Sequence, residues 1–418
     1  MSRAKPTENR MWKQRILNTV VALTLASSAV TALGADLDRR QAKRIHDRLA
    51  GIPPTPQVLN DMETLIAAGN AEQAALKIMT SNPSDPLYDS RYQNSAKNFY
   101  TVTVKNMATP WTNEAQTVFA PLNDYTATVI GMIRDDVPFN TLLSANIIYV
   151  GQGITGLPAY SMNNNSHYEY LESHDADLSN SNILVRRQQT DVTDLPANAT
   201  AGILTTRAAA RAFFIDGTNR AMFRFTMMNQ LCNDLEPIKD TSRPPDRVQQ
   251  DVTRSPGGDS RIFMNSCVGC HSGMDPLNQA FAYYNYVYSG DEENGRLVYT
   301  PNSVQGKYLI NSDNFKYGYI TSDDSWINYW REGPNSLLGW DTNGRGLPDS
   351  GNGAQSMGTE LANSYAFASC QVKKVFRTVC FRDPSVSELS TITDEFKGVD
   401  NYSMKKVFAR AAIACEGN

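Results

Sequence analysis

Two cysteines separated by two residues, with a histidine directly after the second, form the pentapeptide Cys267-Val268-Gly269-Cys270-His271. This C-x-x-C-H spacing is the attachment signal for c-type haem. Each thiol can add to one vinyl group as a thioether, and the adjacent histidine then reaches the iron as proximal ligand. A bare C-x-x-C would also suit a thioredoxin-like redox pair or half of a zinc site. The first needs a βαβ context, and the second needs another C-x-x-C or H-x-x-x-H. Neither is present. The expected cofactor is therefore one covalent haem c held by Cys267, Cys270 and His271.

The sixth iron position decides what such a haem does. His/Met ligation raises the potential and suits electron transfer, whereas an open position permits chemistry on small molecules. Met357 is the first candidate. It lies in Gly351-Asn352-Gly353-Ala354-Gln355-Ser356-Met357-Gly358, a glycine-rich stretch that reads as a loop able to drape over the distal face. Its bland alternative is an exposed loop methionine. His167 or His174 is the next choice, and an open site is the third. Met264 and Met274 sit within a turn of the attachment peptide, on the side that the proximal histidine occupies. His46 reads as a packing histidine. No Ser/His/Asp triad, phosphate-binding loop or pair of catalytic carboxylates stands out, so no catalytic residue is assigned. Asp341 to Gly346 lacks the later ligands of a calcium loop and reads as a turn.

The elements that must position these residues read as mostly helical. Apolar spacing predicts helices over 38–50, 56–68, 71–79, 122–134, 138–148, 207–215, 221–231, 325–331, 360–376 and 405–415. Thr55 before Pro56, and Thr206 before Arg207, are N-cap candidates. Residues 151–200, rich in Asn, Ser, Asp and Gly, read as a long polar loop. Short strands are expected near 296–300 and 307–310. Gly273 to Pro276 reads as a turn leading away from the haem peptide. The tyrosines from Tyr283 to Tyr288 would pack either on a haem or in ordinary core. A polar, proline-rich passage before Gly258 marks a boundary near 255.

The chain has 418 residues and a net charge of −4. Residues 1–35 read as a cleaved signal peptide. Arg3, Lys5, Arg10, Lys13 and Arg15 precede an apolar stretch, and small residues surround Ala35. This leader holds five of the 39 basic and one of the 43 acidic residues, so the mature chain carries 34 against 42, a charge of −8. That argues against nucleic acid as a partner. No other apolar run is long enough to span a bilayer. Export to the periplasm or beyond would suit haem c and would allow Cys232, Cys370, Cys380 and Cys415 to form two disulfides, with the pairing open.

The haem signal, the later methionine and the closing helix resemble class I cytochrome c. Arg44 to Pro56, Ala201 to Thr205, Cys267 to Phe281 and Glu360 to Val375 are similar to segments of the planctomycete-type cytochrome c-related proteins, a haem c family of unknown function. The resemblance implies a mainly α fold: a helical region 36–255 containing the loop 151–200, then a cytochrome c-like haem domain 256–418 with long loops and minor β structure. It implies haem c and export, but no substrate. The expected function is single-electron transfer to a redox protein partner. The alternative is a haem-dependent oxidoreductase, peroxidase- or oxygenase-like, acting on a secreted substrate.

Overall fold

A computed structural model describes residues 36–112, 117–215, 217–243, 245, 247–248, 260–309, 319–340 and 349–415. The leader, Gly258, the Asp341–Gly346 turn and Leu347-Pro348 lie outside the described residues. The fold is mainly α. Its first half contains α1 (36–50), α2 (Pro56–Ala67), α3 (Ala71–Met79), α4 (Gln93–Asn98), α5 (Lys105–Ala108), α6 (Asp124–Arg134), β1 (Ile148–Gly151), α7 (Ser166–Ser173), β2 (Leu184–Arg187), α8 (Gln189–Val192), α9 (Arg207–Phe213) and α10 (Arg220–Gln230). The second half adds α11 (Ser260–Ile262), α12 (Val268–Asn278), β3 (Tyr284–Tyr288), β4 (Gly295–Tyr299), β5 (Ser325–Ile327), β6 (Ser350–Asn352), α13 (Gly353–Ala362), α14 (Tyr365–Val379), α15 (Val386–Lys397) and α16 (Met404–Ala414). The strands form antiparallel pairs β1–β2, β3–β4 and β5–β6. Among the described residues no helix is long and apolar enough to cross a membrane.

The α6 helix is the hub. Every residue of it is buried, and its start is fixed by a reciprocal capping box between Asn123 and Thr126. Its first residue, Asp124, accepts hydrogen bonds from the backbone N–H groups of Arg207 (2.6 Å) and Ala208 (3.0 Å). These are two of the orphan donors at the start of α9, so one helix end caps another and fixes where α9 points. Thr206 also caps α9, and Thr55 caps α2. At the other end of α6, the buried Arg134 donates to the carbonyls of Leu178, Asn180 and Leu184.

That clamp corrects the expectation of a long loop at 151–200. The segment holds α7, β2 and α8, and its polar side chains satisfy its own backbone. The helix expected over 138–148 is a short 3₁₀ turn leading into β1, because three apolar residues in a row there face a fully buried strand. The helix expected around Trp326 and Trp330 is β5 followed by a 3₁₀ turn. Where a strand was expected over 307–310, the 3₁₀ turn Gly306–Tyr308 takes the first two residues and residue 310 lies outside the described residues, whereas β4 lies where a strand was expected.

One hydrophobic core runs through both halves. It joins Leu49, Met132 and Leu231 to Leu277, Met357 and Phe408, and smaller clusters form around Val248 with Val268 and around Ala282, Tyr283 and Tyr308. Cys232 at the end of α10 is bonded to Cys370 in α14, and Cys380 to Cys415. Only Cys267 and Cys270 stay free.

The α12 helix is held on three sides. Asn219, at φ +56°, donates to the carbonyls of Phe281 and Tyr284 and so fixes the start of α10 against the end of α12. The strap 236–240 runs along its first turn, with Asp240 N–H donating to Gly269 O (2.8 Å) and Ser272 Oγ donating to Asp240 O (3.0 Å). The buried Trp330 indole lies directly over Gly273, where any Cβ would overlap the ring. Gly273→Ala should therefore cost about 1–3 kcal/mol, since a close-packed indole must move. Gly306→Ala, where a Cβ meets nothing within 4 Å, should be near neutral. Urea unfolding of the two variants checks this.

Candidate functional site

Cys267, Cys270 and His271 lie at the start of α12. A π-helical turn, Phe263–Cys267, joins it to α11, so the attachment peptide is helical throughout. The turn expected at Gly273–Pro276 is absent. The helix continues through Pro276, which brings Asp275 one turn beyond His271.

Both cysteines are half-buried thiols. Cys267 packs on Val248 and Val268. Cys270 Sγ donates to Leu235 O at 3.6 Å. Burial, together with the neighbouring Glu236 carboxylate, pushes the Cys270 thiol above its ordinary pKa. A redox-active C-x-x-C works through a lowered pKa, and a zinc ligand through a thiolate. Burial and the Glu236 carboxylate both work against a Cys270 thiolate.

His271 Nδ1 lies 3.1 Å from each carboxylate oxygen of Asp275. Arg220, on α10, closes the other side of that carboxylate through Nε to Oδ1 (2.8 Å) and Nη2 to Oδ2 (2.7 Å). Burial works to raise the Asp275 pKa, but the charges of Arg220 and His271 outweigh it and hold the carboxyl well below the usual range. Asp275 is thus an acceptor and Nδ1 carries the proton, so the lone pair of the neutral ring falls on Nε2.

His271 borders a cavity of about 550 Å³, within the usual span of cofactor sites, roughly 300–1,000 Å³. From α9 and α10 come Arg211, Phe213, Arg220, Arg224 and Phe225; Phe119 closes the wall from the segment before α6, and Met274 joins His271 from α12. Phe213 and Phe225 stack with centroids 4.9 Å apart. Both guanidinium nitrogens of Arg211 bind Glu293, while its Nε is buried without a partner among the described residues. The stacked aromatic side chains of this wall suit the face of a flat apolar macrocycle.

The other candidates lie apart from this cavity. Met357 is fully buried on α13, where the expectation was a loop. Only Gly353 takes positive φ (+72°). From there the stretch is helical, because Ser356 bonds the Asn352 carbonyl and Trp326 Nε1, and because Gly358 lies against the Leu143 backbone, where a side chain would overlap. His167 is buried; its Nδ1 donates to Pro158 O (2.7 Å) and its Nε2 accepts from Gly151 N–H (2.8 Å). His174 is exposed, stacked on Tyr170 at 3.8 Å. His46 bonds Ile52 O and Ser95 Oγ. Tyr284 and Tyr286 turn inward on β3 and bond the carbonyls of Ala199 and Glu292, the core role rather than a place on the cavity wall. All four histidines, and every methionine after residue 35, are among the described residues.

Comparison with protein-family models, with curated proteins and with solved structures returns no match.

Arg220, Asp275, Arg211 and the three phenylalanines were not picked out from the sequence. Asp275 had a signal, its position four residues after His271 on a possible helix face. The residues from α9 and α10 had none, because they stand more than 40 positions before the pentapeptide and reach it only through the fold.

Burial lowers the pKa of His167 below its ordinary value, although the Pro158 carbonyl works the other way. The unfolded chain then binds a proton near pH 6.5 that the folded chain refuses, so stability falls as pH drops through that region. His167→Gln should cost about 1–3 kcal/mol at pH 8 and should flatten the loss between pH 7 and 5, read from urea midpoints.

Proposed function

We propose that the protein is an exported monohaem c protein with His271 as proximal ligand, and that it works as a haem-dependent oxidoreductase on a small molecule reaching the cavity. The observation that carries the second part is the make-up of the cavity wall. Of the histidines and methionines, only His271 and Met274 line it. Met274, three residues after His271 on one helix, shares the histidine's face and cannot stand across a macrocycle from it.

Cys267, Cys270 and His271 would hold the haem, which would supply one-electron chemistry. The chain's own residues supply the rest. Asp275 keeps the proton on Nδ1 and fixes the imidazole plane. Phe119, Phe213 and Phe225 exclude water from the cavity faces. The similarity of Cys267–Phe281 to the haem segment of the planctomycete-type proteins supports the cofactor, and the leader supports a periplasmic or secreted location. Electron exchange with a redox protein partner belongs to this reading as well as to that of a simple carrier.

An absorption spectrum of the mature protein, oxidised, reduced, and reduced under carbon monoxide, separates the two. The expected result is a high-spin spectrum that carbon monoxide converts completely, unchanged in Met357→Ala. A low-spin spectrum with a near-infrared methionine–iron band that Met357→Ala abolishes would instead make the protein a carrier.

A further inference from the structure

The clamp behind His271 is more elaborate than orientation requires. A backbone carbonyl or an amide would fix the ring plane and tautomer equally well. Here the acceptor is a carboxylate with both oxygens 3.1 Å from Nδ1. It is 4% exposed, and its ionised form is secured by a two-point bond from Arg220, whose side chain is 26% exposed. A buried carboxylate without that partner would be strongly unfavourable. Two helices are thus committed to keeping a negative charge against the histidine.

We propose that Asp275, held ionised by Arg220, makes His271 a stronger electron donor to iron than a histidine bonded to a neutral acceptor, and so sets a low reduction potential. The inference rests on the haem reading above. A carboxylate that accepts the Nδ1 proton draws it partly off the ring and raises the basicity of the other nitrogen. Electron density passed to the metal favours ferric over ferrous iron, since axial-ligand strength and nearby hydrogen bonding set haem potentials. Asp275 is a positioning residue in this account; it acts on the iron only through His271.

The test is the midpoint potential of the haem-loaded full chain, for the parent, Asp275→Asn, Arg220→Gln and Arg220→Lys. Asp275→Asn keeps the shape and an oxygen acceptor but removes the charge. It should shift the ferrous/ferric ratio at fixed ambient potential at least tenfold toward ferrous, about 59 mV for a one-electron couple. Arg220→Gln removes the charge that keeps the buried carboxyl ionised, so Asp275 takes up a proton and the ratio should shift the same way. Arg220→Lys keeps the positive charge but not the two-point bond, and should stay near the parent. A merely structural role would move Arg220→Lys together with the other two variants. Equal potentials in the parent and Asp275→Asn overturn the proposal. If Asp275→Asn does not accumulate, an unchanged or lowered potential in Arg220→Gln overturns it. A parent without covalent haem, by its pyridine haemochrome spectrum, overturns the underlying reading instead.

Discussion

Asp275 meets His271 on its own helix and Arg220 on the next, and the register between α10 and α12 passes through that carboxylate. Both helices bring apolar faces to the common core, but apolar packing alone tolerates sliding. A two-point guanidinium–carboxylate pair does not, because both hydrogen bonds fail together when the planes shift. Asn219 repeats the constraint one residue earlier by tying the start of α10 to the carbonyls beyond α12. Trp330 over Gly273 supplies a third fixed point from the opposite side. The cavity exists because these contacts hold the two helices at one separation.

The parts of the fold set by short-range rules were legible in the sequence. Thr55 and Thr206 cap the helices expected of them, since a hydroxyl placed before a helical run satisfies a local donor whatever the distant chain does. The attachment pentapeptide is equally local. What escaped notice was decided by tertiary burial. Gly353 to Gly358 has loop composition, yet it is helical because small residues let α13 pack close to the Leu143 turn. The Asn- and Ser-rich stretch 151–200 is ordered because Arg134 collects its carbonyls. Trp326 and Trp330 have helical spacing, but one lies on a strand and the other on the turn after it.

The candidate site divides in the same way. Cys267, Cys270 and His271 stand out by spacing alone, because two thiols and an imidazole in that order have few other uses. The enclosing half comes from α9, which Asp124 caps from a helix more than 80 residues earlier, from α10 and from Phe119. The ligand candidates Met357, His167 and His174 were chosen by residue type, whereas the cavity beside His271 is lined chiefly from the segment before α6 and from α9 and α10.

The closure of Cys232 with Cys370 across 138 residues has a kinetic consequence. The end of α10 cannot be locked until most of the chain is present, and contacts between distant segments form slowly because loop closure must come first. In the finished structure the strap 236–240 and Leu235 half-cover Cys270. Late assembly of this wall leaves the pentapeptide accessible while the chain collapses. The long-range topology thus provides an interval in which two thiols can be modified before the fold shuts over them.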